Sequence, residues 1–420
     1  MAWRPLLEGS LAARARAALD DVARELESYE LPRTAQGGSL AHGAAGLAVF
    51  FGEVARERGD PAASAAAARH IALAAGAVAD TAMSASLFEG FVGVAWAIEH
   101  LDGDPSALDD VDAALCAFLD NPELDASHEL YGGLAGVGLY GLARLRRAAL
   151  GRRIVEAAVR ALSARAERGA DGVGWATRVG DLPAGALPEG TRVHYNLGMA
   201  HGLPGVIAFL AHARAAGLDE ALPLLDGAVR WLLARRLGDD SPTRYGPWHE
   251  PGRPPRAARA GWCYGDAAIA RSLLVAAGAA AEPTWREEAM SAARRAAARP
   301  HDGCGVADAG LCHGAAGIAH IMNRLHQATG DHGLAASARA WFERALDARD
   351  PARPGVAGFA SWASDGVDRP FTWRADPGFL AGASGIALAL LAATSAREPS
   401  WDAPLLLHEL PSGVREGHDR

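Results

Sequence analysis

A Gly-x-x-Gly unit followed by an apolar run recurs along this chain, and it limits the possible folds more than any other feature. The copies begin at Gly43, Gly90, Gly133, Gly202, Gly265, Gly314 and Gly382. Six keep the second glycine, at Gly46, Gly93, Gly136, Gly205, Gly317 and Gly385, while the fifth copy has Ala268 there. The intervals leave room for two helices and their connections, so each repeat reads as a helical hairpin. The run after each glycine pair is small and apolar, as in Gly205-Val206-Ile207-Ala208-Phe209-Leu210, which suits a helix buried on all sides. The intervening segments are amphipathic. Leu222, Leu225, Val229, Leu232 and Leu233 share one predicted face, leaving Arg230, Arg235 and Arg236 for solvent. The expected fold is all-α, an α/α toroid of seven inner and seven outer helices, read as a single domain over 1–420.

A residue without Cβ permits tight entry into an inner helix and close helix approach, and this structural reading covers His42-Gly43 and Glu89-Gly90 as well. Three Pro- and Gly-rich stretches, 170–196, 238–261 and 350–377, each precede an inner helix. They should rim one face of the barrel, with short strands at most, and chemistry should gather on that rim.

Composition removes several classes. The formal charge is -9, from 41 basic and 50 acidic residues, which argues against nucleic acid as a partner. Every basic residue is Arg, so no Lys can form a Schiff base or complete a P-loop. No long, purely apolar stretch occurs, and no membrane insertion is expected. Arg4, Glu8, Arg14 and Arg16 interrupt any secretory h-region, so the expected location is cytoplasmic. Four cysteines are too few and scattered to staple the chain.

Two of those cysteines lie inside the repeat motif, in Trp262-Cys263-Tyr264-Gly265 and Leu311-Cys312-His313-Gly314. If repeats five and six are neighbours in a ring, Cys263, Cys312 and His313 converge. A Cys, Cys, His set with a fourth position open suits catalytic zinc, and a thiol is the fitting substrate. Cys116 and Cys304 are off-register and read as inert core residues. His201 takes the motif position in repeat four and could move a proton near neutral pH. Arg259, four residues before Cys263, could neutralise an anionic intermediate or could be one solvated arginine among Arg253 and Arg256. Glu129, four before Gly133, is equally open.

With these motifs in place, the chain resembles the lanthionine synthetase C-like family over essentially its whole length. The resemblance rests on the seven glycine motifs together with Asn196-Leu197-Gly198-Met199-Ala200-His201-Gly202, Trp-Cys-Tyr-Gly and Cys-His-Gly. It implies a central zinc on Cys263, Cys312 and His313, His201 as acid–base residue, and Arg259 and Tyr264 lining the site. The implied reaction is Michael-type addition of peptide Cys thiolates to dehydroalanine or dehydrobutyrine, forming lanthionine or methyllanthionine. The implied partners are a dehydrated precursor peptide, with leader and core, and a dehydratase and exporter complex. The family's acidic residue in the third repeat is typically Asp, and Glu129 stands in that place. Addition of glutathione to dehydroamino acids in proteins would use the same site, and a non-catalytic peptide-binding scaffold could keep it. A zinc prenyltransferase-like barrel would want an Asp ligand and a pyrophosphate pocket. A toroidal glycosidase would want paired carboxylates at no motif position here. The rim arginines Arg253 and Arg256 are expected to meet an acidic leader segment.

Overall fold

The computed structural model describes residues 2–121, 123–177, 194–364 and 370–410. Its helices run in order α1 (Gly9–Glu27), a single turn α2 (Ala35–Gly38), α3 (Ala44–Arg58), α4 (Pro61–Asp80), α5 (Phe91–His100), α6 (Asp109–Leu119), α7 (Leu134–Arg144) and α8 (Ala149–Arg165). They continue with α9 (Leu203–Ala215), α10 (Ala221–Leu233), α11 (Asp266–Ala280), α12 (Pro283–Ala298), α13 (Ala315–Thr329), α14 (His332–Asp347) and α15 (Ala383–Thr394). The odd-numbered helices from α3 to α15 form the inner ring: each touches the next, and α15 returns to α3.

Each inner helix begins immediately after a motif glycine, which serves as its N-cap. The reason is steric. The segment ahead of the helix folds back against the first turn, and a Cβ on Gly93, Gly317 or Gly385 would sit 1.9 Å from the carbonyl oxygen of Leu87, Leu311 or Phe379. In the fifth repeat Gly265 adopts φ 124°, a backbone region that side chains rarely enter. The inner helices are then enclosed on all sides; in α9 every residue from Leu203 to Ala213 is buried.

These fold-back turns are joined by backbone hydrogen bonds. Two residues before each motif glycine, an N–H donates to the carbonyl of the same position in the next repeat. The bonds run Ala41 to Phe88 (2.8 Å), Phe88 to Tyr131 (3.1 Å), Tyr131 to Ala200 (3.0 Å), Cys263 to Cys312 (3.1 Å), Cys312 to Leu380 (2.8 Å) and Leu380 to Ala41 (3.1 Å). Among the described residues only the junction from Ala200 to Cys263 lacks such a bond. There Gly198 backs onto the Cys263 carbonyl, where a Cβ would approach to 2.3 Å.

Helices α4, α8, α10, α12 and α14 pack outside α3, α7, α9, α11 and α13, and α6 lies against α8. The outer helix of the seventh repeat is α1, from the opposite end of the chain, packed on α15. Leu6 and Leu7 N–H donate to Ala393 O at 2.8 and 3.0 Å, and Trp3 Nε1 donates to Ala392 O at 3.1 Å. By length and composition α4, of 20 residues, alone among the described helices could cross a membrane; here it is the outer partner of α3. On α10 the buried stripe includes Leu224 and Trp231, whereas Leu222 and Leu233 are half-buried. Arg235, expected in solvent, lies 3.6 Å from the centroid of the Trp231 ring. The helix turns to bury its tryptophan, and the guanidinium covers it.

Among the described residues the rim segments contain only two-stranded antiparallel pairs. Strand β1 (Glu167–Gly169) pairs with β2 (Gly172–Gly174), β3 (Tyr195–Asn196) with β4 (Trp248–His249), and β5 (Ser361–Ala363) with β6 (Thr372–Arg374). Parts of two expected rim loops, 178–193 and 365–369, lie outside the described residues. At the far end of the inner helices the chain from Asp402 to His408 inserts into the ring. Leu405 O accepts from Trp262 Nε1 at 3.0 Å, and Leu407 O accepts from Arg271 Nε at 2.8 Å.

Two glycine substitutions separate close packing from mere helix propensity. Gly317→Ala places its methyl on the Leu311 carbonyl and should destabilise by about 2–4 kcal/mol. Gly76→Ala, in α4 with nothing within 4 Å of the added carbon, should stabilise by about 0.4–1 kcal/mol. Denaturant unfolding followed by circular dichroism measures both.

Candidate metal centre and acid–base pair

The hydrogen-bonded girdle places equivalent motif positions side by side. Cys263 and Cys312 occupy the girdle position itself, two before the glycine, and His313 follows Cys312. Their ligand atoms all lie within 4.8 Å of one another. Arg259 Nη2 donates to Cys263 Sγ at 3.1 Å. The Cys263 thiol is held well below its ordinary value, first by a hydrogen bond from Cys312 and then by His313 and the Arg259 guanidinium. The Cys312 thiol is pushed up because the Cys263 thiolate sits beside it.

The residues fit zinc on the observations of this site. The donors are two sulfurs and an imidazole, the soft set that zinc favours. His313 Nδ1 is buried with no hydrogen-bond partner, a cost that a bound metal would remove. His313 Nε2 lies 3.9 Å from Asp308 Oδ2, the carboxylate–histidine arrangement that orients metal-binding imidazoles. Asp308 is itself fixed, accepting from Gly310 N at 3.1 Å and Trp362 N at 2.9 Å.

Tyr264 precedes Gly265 as His313 precedes Gly314. Its hydroxyl accepts from Asn196 Nδ2 at 2.8 Å, and its ring lies 5.8 Å from the Arg259 guanidinium carbon. Arg259 is therefore engaged with Cys263 and Tyr264 rather than left in the solvated loop.

His201 Nδ1 donates to Glu129 Oε2 at 3.1 Å. The His201 side chain stays 44% exposed, which leaves its other nitrogen open to a ligand. Glu129 is anchored by the backbone N–H groups of Tyr131 (2.8 Å) and Gly132 (2.7 Å). Burial pulls His201 down, yet the hydrogen bond and charge of Glu129, with Cys263 and Glu89 further off, leave it above its ordinary value. Glu129, ambiguous from sequence, is thus the carboxylate that orients His201.

Sequence reasoning missed several groups. The sequence explains His42 and Glu89 as structural lead-ins to their glycines, but His42 Nε2 lies 3.9 Å from Glu89 Oε1 and Nδ1 lies 3.7 Å from Asp376 Oδ2. Their register, one before the glycine, is that of His201 and His313, and it could have revealed them. Asp308 and Asp376 carry a second shared signal, six residues before their glycines and each accepting from the backbone N–H two residues on. Both rim arginines are exposed. Arg253 pairs with Glu250 at 3.0 Å and Arg256 stacks 3.8 Å from the Trp248 centroid. Cys116 and Cys304 are buried free thiols away from the metal-binding set.

The sequence profile described as lanthionine synthetase C-like protein matches residues 34–406. The chain belongs to the lanthionine synthetase C-like family. Among solved structures it is similar to nisin cyclase, with a TM-score of 0.73 and 18% identity over 93% of this chain and 97% of that one. This likeness shows the α/α toroid. Weaker likenesses are a D-mannose isomerase (TM-score 0.44, 14% identity, 69% of this chain and 81% of that) and an inactive α-1,6-mannanase variant of Salegentibacter sp. (TM-score 0.48, 11% identity, 95% and 100%). No curated protein matches by sequence. Within this lanthionine synthetase C-like chain, Cys263, Cys312 and His313 form the one potential metal-binding group of three among the described residues.

The Glu129–His201 pair has a defined pH signature. Because the folded-state value of His201 is raised, its stabilisation is complete below the unfolded value near 6.5 and is lost as pH rises through the folded value. Glu129→Gln should lower the His201 midpoint in an imidazole NMR titration and remove that slope from the stability profile.

Proposed function

We propose that this protein is a zinc-dependent lanthipeptide cyclase acting in the cytoplasm on a dehydrated precursor peptide. The observation that carries the reading is the placement of a Cys, Cys, His donor set and a carboxylate-oriented histidine at equivalent positions of one girdle. Zinc, when bound, would supply the positive charge that keeps an incoming thiol deprotonated at neutral pH.

Cys263, Cys312 and His313 would hold it, with Asp308 orienting the imidazole. The substrate thiolate adds to the β-carbon of dehydroalanine or dehydrobutyrine, and the alkene electron pair moves toward the adjoining carbonyl. His201, kept protonated by Glu129, gives its proton to the α-carbon. Arg259 and Tyr264 border the same space, where a guanidinium favours negative charge developing on the carbonyl oxygen.

Two measurements test this together. Elemental mass spectrometry should find about one zinc per chain, lost in Cys312→Ala. Incubation with a dehydrated peptide should give thioether rings, and His201→Ala should lower kcat by roughly 10²–10⁴ while zinc content is kept. A folded protein that never binds zinc overturns the mechanism. Faster consumption of glutathione than closure of peptide rings would move the reading to the small-thiol reaction.

A further inference from the structure

One hydrogen bond does not fix an imidazole. The bond from His201 Nδ1 to Glu129 Oε2 holds one nitrogen, but the ring can still turn about that axis and carry its other nitrogen across the cavity. A second constraint comes from Tyr131, whose ring lies 4.9 Å from the His201 ring, centroid to centroid, with 40° between their planes. The same residue steadies the carboxylate, since its N–H donates to Glu129 Oε2 at 2.8 Å. That N–H also reaches Ala200 O at 3.0 Å, on the residue before His201. Tyr131 therefore contacts the imidazole, its carboxylate partner and the backbone that carries it.

Tyr131 is held in turn. Phe88 stacks on its ring, with centroids 5.1 Å apart and 26° between the planes, and its hydroxyl donates to Glu89 Oε1 at 2.9 Å. Burial, with Glu89 beside it, pushes the phenol above its ordinary value, so the hydroxyl keeps its proton and its donor role at neutral pH. Phe88 and Tyr131 both occupy the girdle position, where Phe88 N donates to Tyr131 O at 3.1 Å, and this brings the two rings together. Closing the girdle does not require an aromatic ring there, because the corresponding residues in repeats one, four and seven are Ala41, Ala200 and Leu380.

We propose that Tyr131, held by Phe88 and Glu89, is the positioning residue that sets the plane of the His201 imidazole and with it the face of the substrate α-carbon that is protonated. The proposal rests on the cyclase reading. In that reaction the substrate thiolate forms the sulfur–β-carbon bond as the alkene π bond breaks, and the electron pair moves to the adjoining carbonyl oxygen. The α-carbon of the resulting enolate is planar and can take a proton on either face. The pair returns to form the carbon–hydrogen bond as His201 gives up its proton. The proton shed by the thiol leaves to water, and water, which reaches the 44%-exposed His201 side chain, restores the one that the imidazole lost. An imidazole held in one plane delivers to one face. Tyr131 acts through His201 and not on the reacting carbons.

The test uses a dehydroalanine peptide whose unassisted closure gives both configurations at the α-carbon, the stereocentre that this addition creates. The unaltered protein should give one configuration. Tyr131→Leu should give a mixture, with kcat lower by roughly tenfold to a hundredfold and with KM and zinc content unchanged. A folded Tyr131→Leu protein that still gives one configuration, or an unaltered protein that gives both, overturns the proposal; an enzyme that is only slower keeps its configuration. In NMR spectra of the full chain without substrate, the His201 ring protons should shift when Tyr131→Leu removes the neighbouring ring, and unmoved protons overturn the contact. Where Tyr131→Leu does not fold, Tyr131→Phe and Glu89→Ala keep the ring but release its hydroxyl, and both should give the same smaller fraction of the second configuration; none in either counts against the proposal. If the unaltered protein closes no ring, the cyclase reading fails and the facial assignment with it, while the ring-proton shifts still decide whether Tyr131 holds the imidazole.

Discussion

Every feature of the site depends on how closely backbone can approach backbone at the mouth of each inner helix. Where Leu87, Leu311 or Phe379 passes over the first turn of the following helix, the separation leaves no room for a single methyl group. That contact pins the preceding turn, and the pinned turns are what allow amide to meet carbonyl from repeat to repeat. Side chains contribute little to this alignment. They inherit from it a shared register, so residues far apart in sequence project from adjacent, nearly equivalent backbone positions.

Charge is divided unevenly around that ring. Repeats five and six hold the two thiols, Arg259 and His313, while repeats seven, one, two and three contribute Asp376, His42, Glu89 and Glu129. His201 lies between the two groups and interacts with both Glu129 and Cys263. The second carboxylate-flanked histidine makes the acidic side more than a support for one residue. Asp376 is tied by Oδ1 to its own loop and turns Oδ2 toward His42, while both oxygens of Glu129 accept backbone N–H groups and Oε2 also meets His201, which limits the movement of each carboxylate.

The toroid and the convergence of Cys263, Cys312 and His313 were legible because both are written in motif register: the glycines mark where the inner helices start, and the two cysteines differ from their counterparts in the other repeats. Glu129 could be nominated but not oriented, since its partner is 72 positions away and the pairing depends on ring closure. His42 and Glu89 were absorbed into the explanation for their glycines, although the same register argument that selected His201 applied to them. Asp376 and Asp308 share a position six before their glycines, but their role could not be read from it because they act through loops whose fold-back is a tertiary property. Arg235 misled for a related reason: a guanidinium on a polar face reads as solvated until an indole is brought under it. The phase of α10 was likewise set by Trp231 rather than by the leucines alone.

The pairing of α1 with α15 bears on how the chain acquires its structure during synthesis. Helix α1 is synthesised well before α15, the inner helix it covers, so its apolar face, with Leu19, Val22 and Leu26, has no permanent cover until α15 has emerged. Intermediate repeats can pair locally as they appear, but the barrel remains an open arc throughout translation. Such a molecule should be most exposed to misassembly and to chaperone capture at α1, and a late folding step should join α1 to α15 in time as well as in space.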